Sequence, residues 1–457
     1  MQYLLYLFPL LFLGSFVLSL YKIGKGDANG VFIFLIGGLP FYAISLSLLF
    51  MVAGKTWIPF LQFTKEIVII ATLITLWWQK EAFRFNVLDK MVLAFLLFSL
   101  IFVPLPLGDL GILQKLIAFK SISFFALVYF CGRLFPLHKT HLQKYFSFIL
   151  VLTILAAALS LGEYILQTHL QTYTGYAEFN YQIYKQEISG SYGLSWTFEI
   201  ENRVKRFASF FSTPLEHAAA TILAVAIIAG LYTEKNNKIY LQKLGWVALI
   251  ASLISIIVSL SRAALLSYFL MILIYSFLTK RKEILSIFYL AVISAIIYLF
   301  SFSTKELQDF VINSFQFSNN SSLGHLIEWA DGVDAMITKP LGMGLGASGR
   351  VTANEGDAVG GENQFIIVGV QIGVAGLLLY LAIYFYSMVQ AYKSYYKLQG
   401  KEQKIAIIVL LLRVGLFLPM FTSNLDSYIY VSYMLWFLNG MLGNVLDKLS
   451  IANRKFK

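Results

Sequence analysis

The chain has 457 residues, 58% of them hydrophobic and 13% charged, with a mean hydropathy of +0.73. A soluble protein carries about twice that charged fraction, so a water-soluble globular protein is excluded and one polytopic membrane domain over residues 1–457 is expected. The net charge of +11 is read as membrane topology and contact with anionic headgroups, not nucleic-acid binding. The single cysteine, Cys131, excludes an intrachain disulfide and a cysteine-rich metal site.

A transmembrane helix needs about 20 apolar residues. Such runs fall near 2–20, 31–53, 60–78, 88–103, 112–132, 145–167, 214–232, 241–258, 263–279, 284–302, 364–391, 404–421 and 428–446. The expected fold is an all-α integral membrane protein with about 12–14 transmembrane helices and a large loop containing short helices. The first run lacks a preceding basic region, is too long for a signal peptide, and is followed by Lys22 and Lys25, so it is read as a membrane span.

The loops between these runs separate by charge. One alternate set, from Lys22/Lys25 to the tail Lys448/Arg454/Lys455/Lys457, holds roughly 22 basic residues in short loops, against about 9 in the other set. The positive-inside rule puts the first set and the C-terminus in the cytoplasm. The N-terminus and two long loops, 168–213 and 303–363, then face outward, as does the short corner Ser259–Arg262. Three arginines, Arg206, Arg262 and Arg350, gather on that outer side.

The first long loop is studded with aromatic residues, among them Tyr173, Tyr176, Tyr192 and Trp196, which suit a membrane surface or stacking on sugar faces. It ends in Arg203-Val204-Lys205-Arg206 and runs into Pro214, Glu216 and His217. Pro214 suits a first helical turn, and an acid there is favoured by the helix dipole. Arg206 reads either as a headgroup anchor or, with its forked permanent charge, as a phosphate ligand. Arg262 joins two apolar runs with almost no loop. A charge so close to hydrocarbon is a functional hypothesis, against the simpler reading of an arginine snorkelling to the interface. Lys120 and Arg413 lie deep in their runs and either pair inside the bundle or line a polar cavity. Lys65 and Glu66 are neighbours in sequence and are expected to pair with other helices rather than with each other.

In the second long loop His325, Glu328 and Trp329 share a helical face. His325 and Glu328 alone are too few for a catalytic zinc site, so no metal is expected, and His325 is read as a general base, a phosphate partner or a plain surface histidine. Pro340-Leu341-Gly342-Met343-Gly344-Leu345-Gly346 lacks the Lys-Ser/Thr of a phosphate-binding loop; its glycines suit close approach of backbone to a ligand or another helix. Glu362-Asn363-Gln364 is placed at the start of the next helix, where Glu362 either serves the dipole or acts as a base toward a sugar hydroxyl.

Taken together, Arg206 with the following Phe-Ala-Ser-Phe-Phe-Ser-Thr-Pro, Ser259-Leu260-Ser261-Arg262, the Pro340–Gly346 turn, and Glu362-Asn363-Gln364 resemble the O-antigen polymerase and ligase superfamily, over roughly residues 200–446. The resemblance implies a Wzy-type polysaccharide polymerase, a metal-independent membrane glycosyltransferase of the GT-C type without cofactors. Its donor and acceptor would be glycans on undecaprenyl diphosphate, with membrane lipid and a chain-length regulator as further partners. The active site would face the periplasm from the bacterial inner membrane, making both long loops periplasmic. By that resemblance Arg206 and Arg262 would hold diphosphate; the residues themselves add Arg350 as a third candidate diphosphate ligand, Glu362 and His325 as candidate catalytic groups, and Lys120, Glu216, His217, Glu328, Asn363 and Arg413 as possible cavity residues. In ligases of this superfamily a histidine usually precedes the asparagine; Glu362 stands there instead, which favours a polymerase of O-antigen, capsule or exopolysaccharide. The alternatives are a ligase transferring glycan to lipid A–core and a transporter of lipid-linked oligosaccharide.

Overall fold

Backbone amides can enter hydrocarbon only when each is satisfied within its own segment, and a helix does this for apolar runs of this length. The computed structural model describes all residues except 1, 80–82, 201–202, 234–238, 302–304, 306–307, 309–311, 313–319, 350–358 and 456–457. The helices used below are α1 Leu7–Gly24, α2 Gly30–Gly37, α3 Tyr42–Ala53, α4 Thr64–Gln79, α5 Val87–Ile101, α6 Ile112–Ser123, α7 Phe125–Leu134, α8 Leu142–Leu166 and α9 Tyr176–Tyr184. They continue with α10 Pro214–Tyr232, α11 Lys243–Val258, α12 Arg262–Thr279, α13 Lys282–Ser301, α14 Asn320–Thr338, α15 Gln364–Lys397, α16 Gly400–Phe417 and α17 Ile429–Lys455. Among the described residues the strands are a single antiparallel pair, β1 Glu199–Ile200 and β2 Val204–Lys205.

The protein is an all-α, multi-pass membrane protein. Among the described residues nine helical segments are long and apolar enough to cross a membrane, or ten when α6 and α7, bent by 46°, count as one span. The runs expected near 88–103 and 241–258 do form helices, α5 with 15 residues and α11 with 16. At 1.5 Å per residue they reach roughly 22–24 Å, less than the hydrocarbon thickness of about 30 Å. Leu4, Trp78, Leu113 and Ile165 are exposed, as side chains facing lipid should be.

Helix α17 is the spine. Its backbone touches that of α7: a Cβ on Gly440 would meet the Tyr129 carbonyl oxygen at 2.0 Å, and one on Gly132 would meet that of Phe437 at 1.9 Å. Small residues permit such crossings inside membranes, where close packing must replace the hydrophobic effect. Beside the crossing, Arg133 is buried and paired with two carboxylates. Its Nε donates to both oxygens of Asp89 at 3.0 Å, and its Nη2 donates to Asp447 at 3.1 Å and to the Arg84 carbonyl at 2.8 Å. Tyr129 adds a 2.6 Å hydrogen bond to Asp89. Removing one partner leaves a buried charge uncompensated, so Asp89→Ala is expected to cost about 3–5 kcal/mol. Denaturant unfolding in detergent measures this, and a change below about 1 kcal/mol would contradict the assignment.

The glycine-rich turn of the second long loop has a structural explanation. Helix α15 is broken at Ile372 and Gly373, where Gly373 adopts φ 77°. The break leaves carbonyls without helical partners, and the turn supplies them: Met343 N donates to Val370 O at 2.7 Å and Gly344 N to Gln371 O at 3.1 Å. Val374 N in turn donates to Pro340 O at 3.0 Å. Gly344 has φ 103°, and a Cβ there would meet the Leu107 carbonyl oxygen at 2.5 Å. The turn is therefore a backbone clamp between α15 and the segment leading into α6, which is the helix-approach role the glycines suggested.

Candidate functional site

Arg206 is positioned by backbone. The β1–β2 pair ends next to it, Arg206 N donates to Phe198 O at 2.9 Å, and Phe207 N donates to Val258 O at 3.2 Å. Its Nε donates to Ser259 O at 3.1 Å. The strand that carries Arg206 is thus laid on the corner that carries Arg262. At that corner Leu260 takes φ 47° and Ser261 caps α12, accepting from Ala264 N at 3.4 Å. Arg262 is the first residue of α12, and its Nη1 donates to Ser322 Oγ of α14 at 3.2 Å.

Helix α14 brings the histidine. His325 and Trp329 stack with ring centroids 6.4 Å apart. His325 Nδ1 lies 3.2 Å from Glu362 Oε2, whose side chain is 52% exposed and so reachable by a ligand. Glu362 was expected at the start of its helix. It lies instead in the turn before α15, whose N-cap is Asn363, accepting from Phe365 N at 2.9 Å and Ile366 N at 3.2 Å. The cap serves the helix, and Glu362 is left to face His325.

The electrostatics tie the two loops together. Burial lowers the Arg206 guanidinium to about 10; Tyr428 and Glu362 oppose this and Arg262 adds to it. Burial also lowers His325, with Glu328 opposing and Arg262 and Arg206 adding. Glu328 is raised, by burial first and then by the charge of Glu362. Arg206, Arg262, His325, Glu328 and Glu362 therefore form one cluster drawn from both long loops and the Ser259–Arg262 corner. Two arginines stand beside a histidine that burial and those arginines shift toward its neutral form, and whose Nδ1 lies 3.2 Å from a carboxylate oxygen.

His325, Glu328 and Glu362 also offer ligand atoms that all lie within 4.8 Å of one another. The sequence showed two of these; the structure adds the third, enough for a three-ligand metal site with an open position. Arg206 and Arg262 act on the same histidine and oppose a divalent cation there.

The remaining expected residues are placed elsewhere. Arg350 lies outside the described residues. Glu216 and His217 hold the turn after Arg206: Glu216 accepts from Ser212 N at 3.0 Å, and His217 Nδ1 lies 3.1 Å from Phe207 O. Arg413 is buried in the bundle, its guanidinium 4.1 Å from the Trp436 ring centroid and 4.7 Å from that of Tyr384. Lys120 pairs with Glu66 at 3.0 Å. Contrary to expectation, Lys65 and Glu66 pair with each other as well, at 3.2 Å; the long lysine side chain folds back at the helix start, where sequence neighbours can meet.

Several supporting residues escaped the sequence reading. Ser322 holds Arg262, and Tyr428 adds its field at Arg206. Glu163, by contrast, was expected either to pair inside the bundle or to line a polar cavity near the outer end of its run; it accepts from Leu170 N at 2.7 Å and Ser209 N at 2.8 Å, pinning both ends of the first loop. Asp426 and Gln364 form a two-way clamp: Gln364 Nε2 donates to Asp426 at 2.8 Å and Asp426 N donates to Gln364 at 3.1 Å. The polar run Asn424-Leu425-Asp426-Ser427-Tyr428 between the last two apolar runs was the available signal.

Fold and site together define a multi-pass membrane protein with a cationic, acid–base-bearing cluster built from two long loops and the short corner between α11 and α12. Residues 247–381, which include Arg262, His325, Glu328 and Glu362, match the family model described as O-antigen ligase. Over this segment the chain is similar to that family. The matched segment is less than half of the chain and contains neither Arg206 nor Lys120. No curated protein matches the chain.

Proposed function

We propose that this protein polymerises undecaprenyl-diphosphate-linked oligosaccharide repeat units at the periplasmic face of the bacterial inner membrane, without a metal. The observation that carries the reading is the convergence of Arg206 and Arg262 with the His325–Glu362 pair. Fixed cations lower the barrier where the diphosphate takes up negative charge as it leaves. Glu362 orients His325 through Nδ1, leaving Nε2 to accept a proton. The acceptor hydroxyl oxygen attacks the anomeric carbon, its proton passes to His325, and the carbon–oxygen bond to diphosphate breaks with the electron pair leaving on the lipid diphosphate. The arginines already supply the charge a metal would bring, so the His325, Glu328 and Glu362 cluster is read as acid–base machinery.

Turnover, followed as release of undecaprenyl diphosphate from a glycan-loaded donor, is expected to survive EDTA. It should fall in acid as His325 protonates, below the ordinary histidine value of about 6.5, because burial and two arginines favour the neutral ring. Glu328→Gln removes a charge that favours the protonated ring, so the acid limb should move to lower pH. Activity lost in EDTA and restored by a divalent cation, or a limb that moves up in Glu328→Gln, would contradict the reading.

A ligase is the second reading, favoured by the description of the matching family. It shares the donor chemistry and differs in the acceptor. Glu362 in place of the ligase histidine favours polymerisation.

A further inference from the structure

A second cluster of basic residues centres on Glu66. Glu66, near the start of α4, is buried and receives two lysines: Lys65 at 3.2 Å and Lys120 at 3.0 Å. Lys65 is saturated, donating also to Gln62 O at 2.6 Å and to the Tyr42 hydroxyl at 3.2 Å. Lys120 is not. Among the described residues it has that one ion pair and lies 4.7 Å from the Phe63 ring centroid, which leaves ammonium donors to spare on a side chain 33% exposed. Two lysines on one carboxylate leave a net positive charge in an apolar wall, which is costly unless an anion visits. Lys120 also sits one turn before the 46° break between α6 and α7.

The surroundings put this cluster at the end of the bundle that carries the long loops. One turn before Lys65, Gln62 Nε2 donates to the Tyr184 hydroxyl of the first loop at 2.8 Å. A Cβ on Gly346 of the second loop would lie 3.6 Å from Ala118, two residues before Lys120. Phe124, at the helix break, stacks on Tyr433 of α17 at 5.7 Å, and Tyr433 neighbours Glu66 electrostatically. Tyr428, just before the same helix, neighbours Arg206 in the same way. The segment Tyr428–Tyr433 thus neighbours both cationic clusters, Arg206 at Tyr428 and Glu66 at Tyr433.

We infer that Lys120, backed by Glu66 and Lys65, holds the diphosphate of a second lipid-linked glycan, the acceptor. This rests on the polymerase reading, in which both substrates are carried on a lipid diphosphate and two diphosphates must be held at once. The arginine cluster takes the one that leaves; a single compact ammonium, which grips phosphate as a point charge without a fork, suits the one that stays. Lys65 and Glu66 fix the direction of Lys120, and the carboxylate keeps the empty site from being repelled by two bare cations.

The test counts sites. Undecaprenyl diphosphate is titrated onto the full-length protein in nanodiscs of zwitterionic lipid. Two sites are expected in the unsubstituted protein, one in Lys120→Gln, two again in Lys120→Arg, and one in Arg262→Ala. One site that is lost in Arg262→Ala and untouched in Lys120→Gln would overturn the acceptor site and leave the function standing. No binding in any form would overturn both. Displacement from the Lys120 site by phosphatidylglycerol would make it an ordinary phospholipid contact, and equal filling by inorganic diphosphate would make it a free-anion site; either result overturns the proposal.

Discussion

Arg262→Ala is expected to lower glycan transfer at least about 100-fold while the protein stays folded, because one positioned charge on a leaving group is worth that much in a water-poor site. Arg262 opens α12, but Ser261 caps that helix, so removing the guanidinium need not unravel it. What is lost is the cation beside Arg206 and the hydrogen bond to Ser322 that ties α14 to the corner. Arg262→Lys should restore only part of the rate, since an ammonium cannot grip a diphosphate with a planar fork. Initial rates with size-exclusion profiles in detergent separate catalysis from folding. Normal chain growth in Arg262→Ala would remove the arginine from the mechanism.

The second large effect concerns the base. His325→Ala and Glu362→Gln are each expected to lower the rate by about 100- to 10,000-fold, the range for a positioned general base. The two act as one unit joined at 3.2 Å, so the double variant should be no slower than the worse single variant. This double-mutant cycle, run on kcat for donor turnover, answers which of the two matters more and whether they cooperate. Independent, multiplying losses would mean that the pair is not a relay and that one member serves another purpose.

The membrane character was legible because hydrophobic runs and loop charge are local properties of the chain. Arg262 and Glu362 stood out as candidates because each is an ionisable group at the edge of an apolar run, Arg206 because its forked charge lies on the outer side, and His325 because it shares a helical face with Glu328 and Trp329. What could not be read was pairing across sequence. Glu66 meets Lys120 from another helix, Ser322 meets Arg262 across sixty positions, and Asp426 clamps Gln364 across sixty-two. Periodicity carries no record of such contacts. Lys65 and Glu66 were misjudged because helix-face geometry treats neighbours as diverging, whereas a long lysine side chain can fold back. Glu362 was placed at the start of a helix because the cap, Asn363, was not separated from the acid before it. The glycine turn was read correctly as a close approach, but its partner, the break in α15 at Gly373, emerges only when the two segments are seen together.

The central claim is that lipid-linked repeat units are joined to one another. The most direct test supplies the purified protein in a bilayer with its native polyprenyl-diphosphate repeat unit and sizes the products on a gel. The account predicts a ladder of increasing length that disappears in Arg262→Ala. A single transfer of glycan to lipid A–core with no ladder would establish the ligase instead, and no transfer of the native unit to any acceptor would contradict the account.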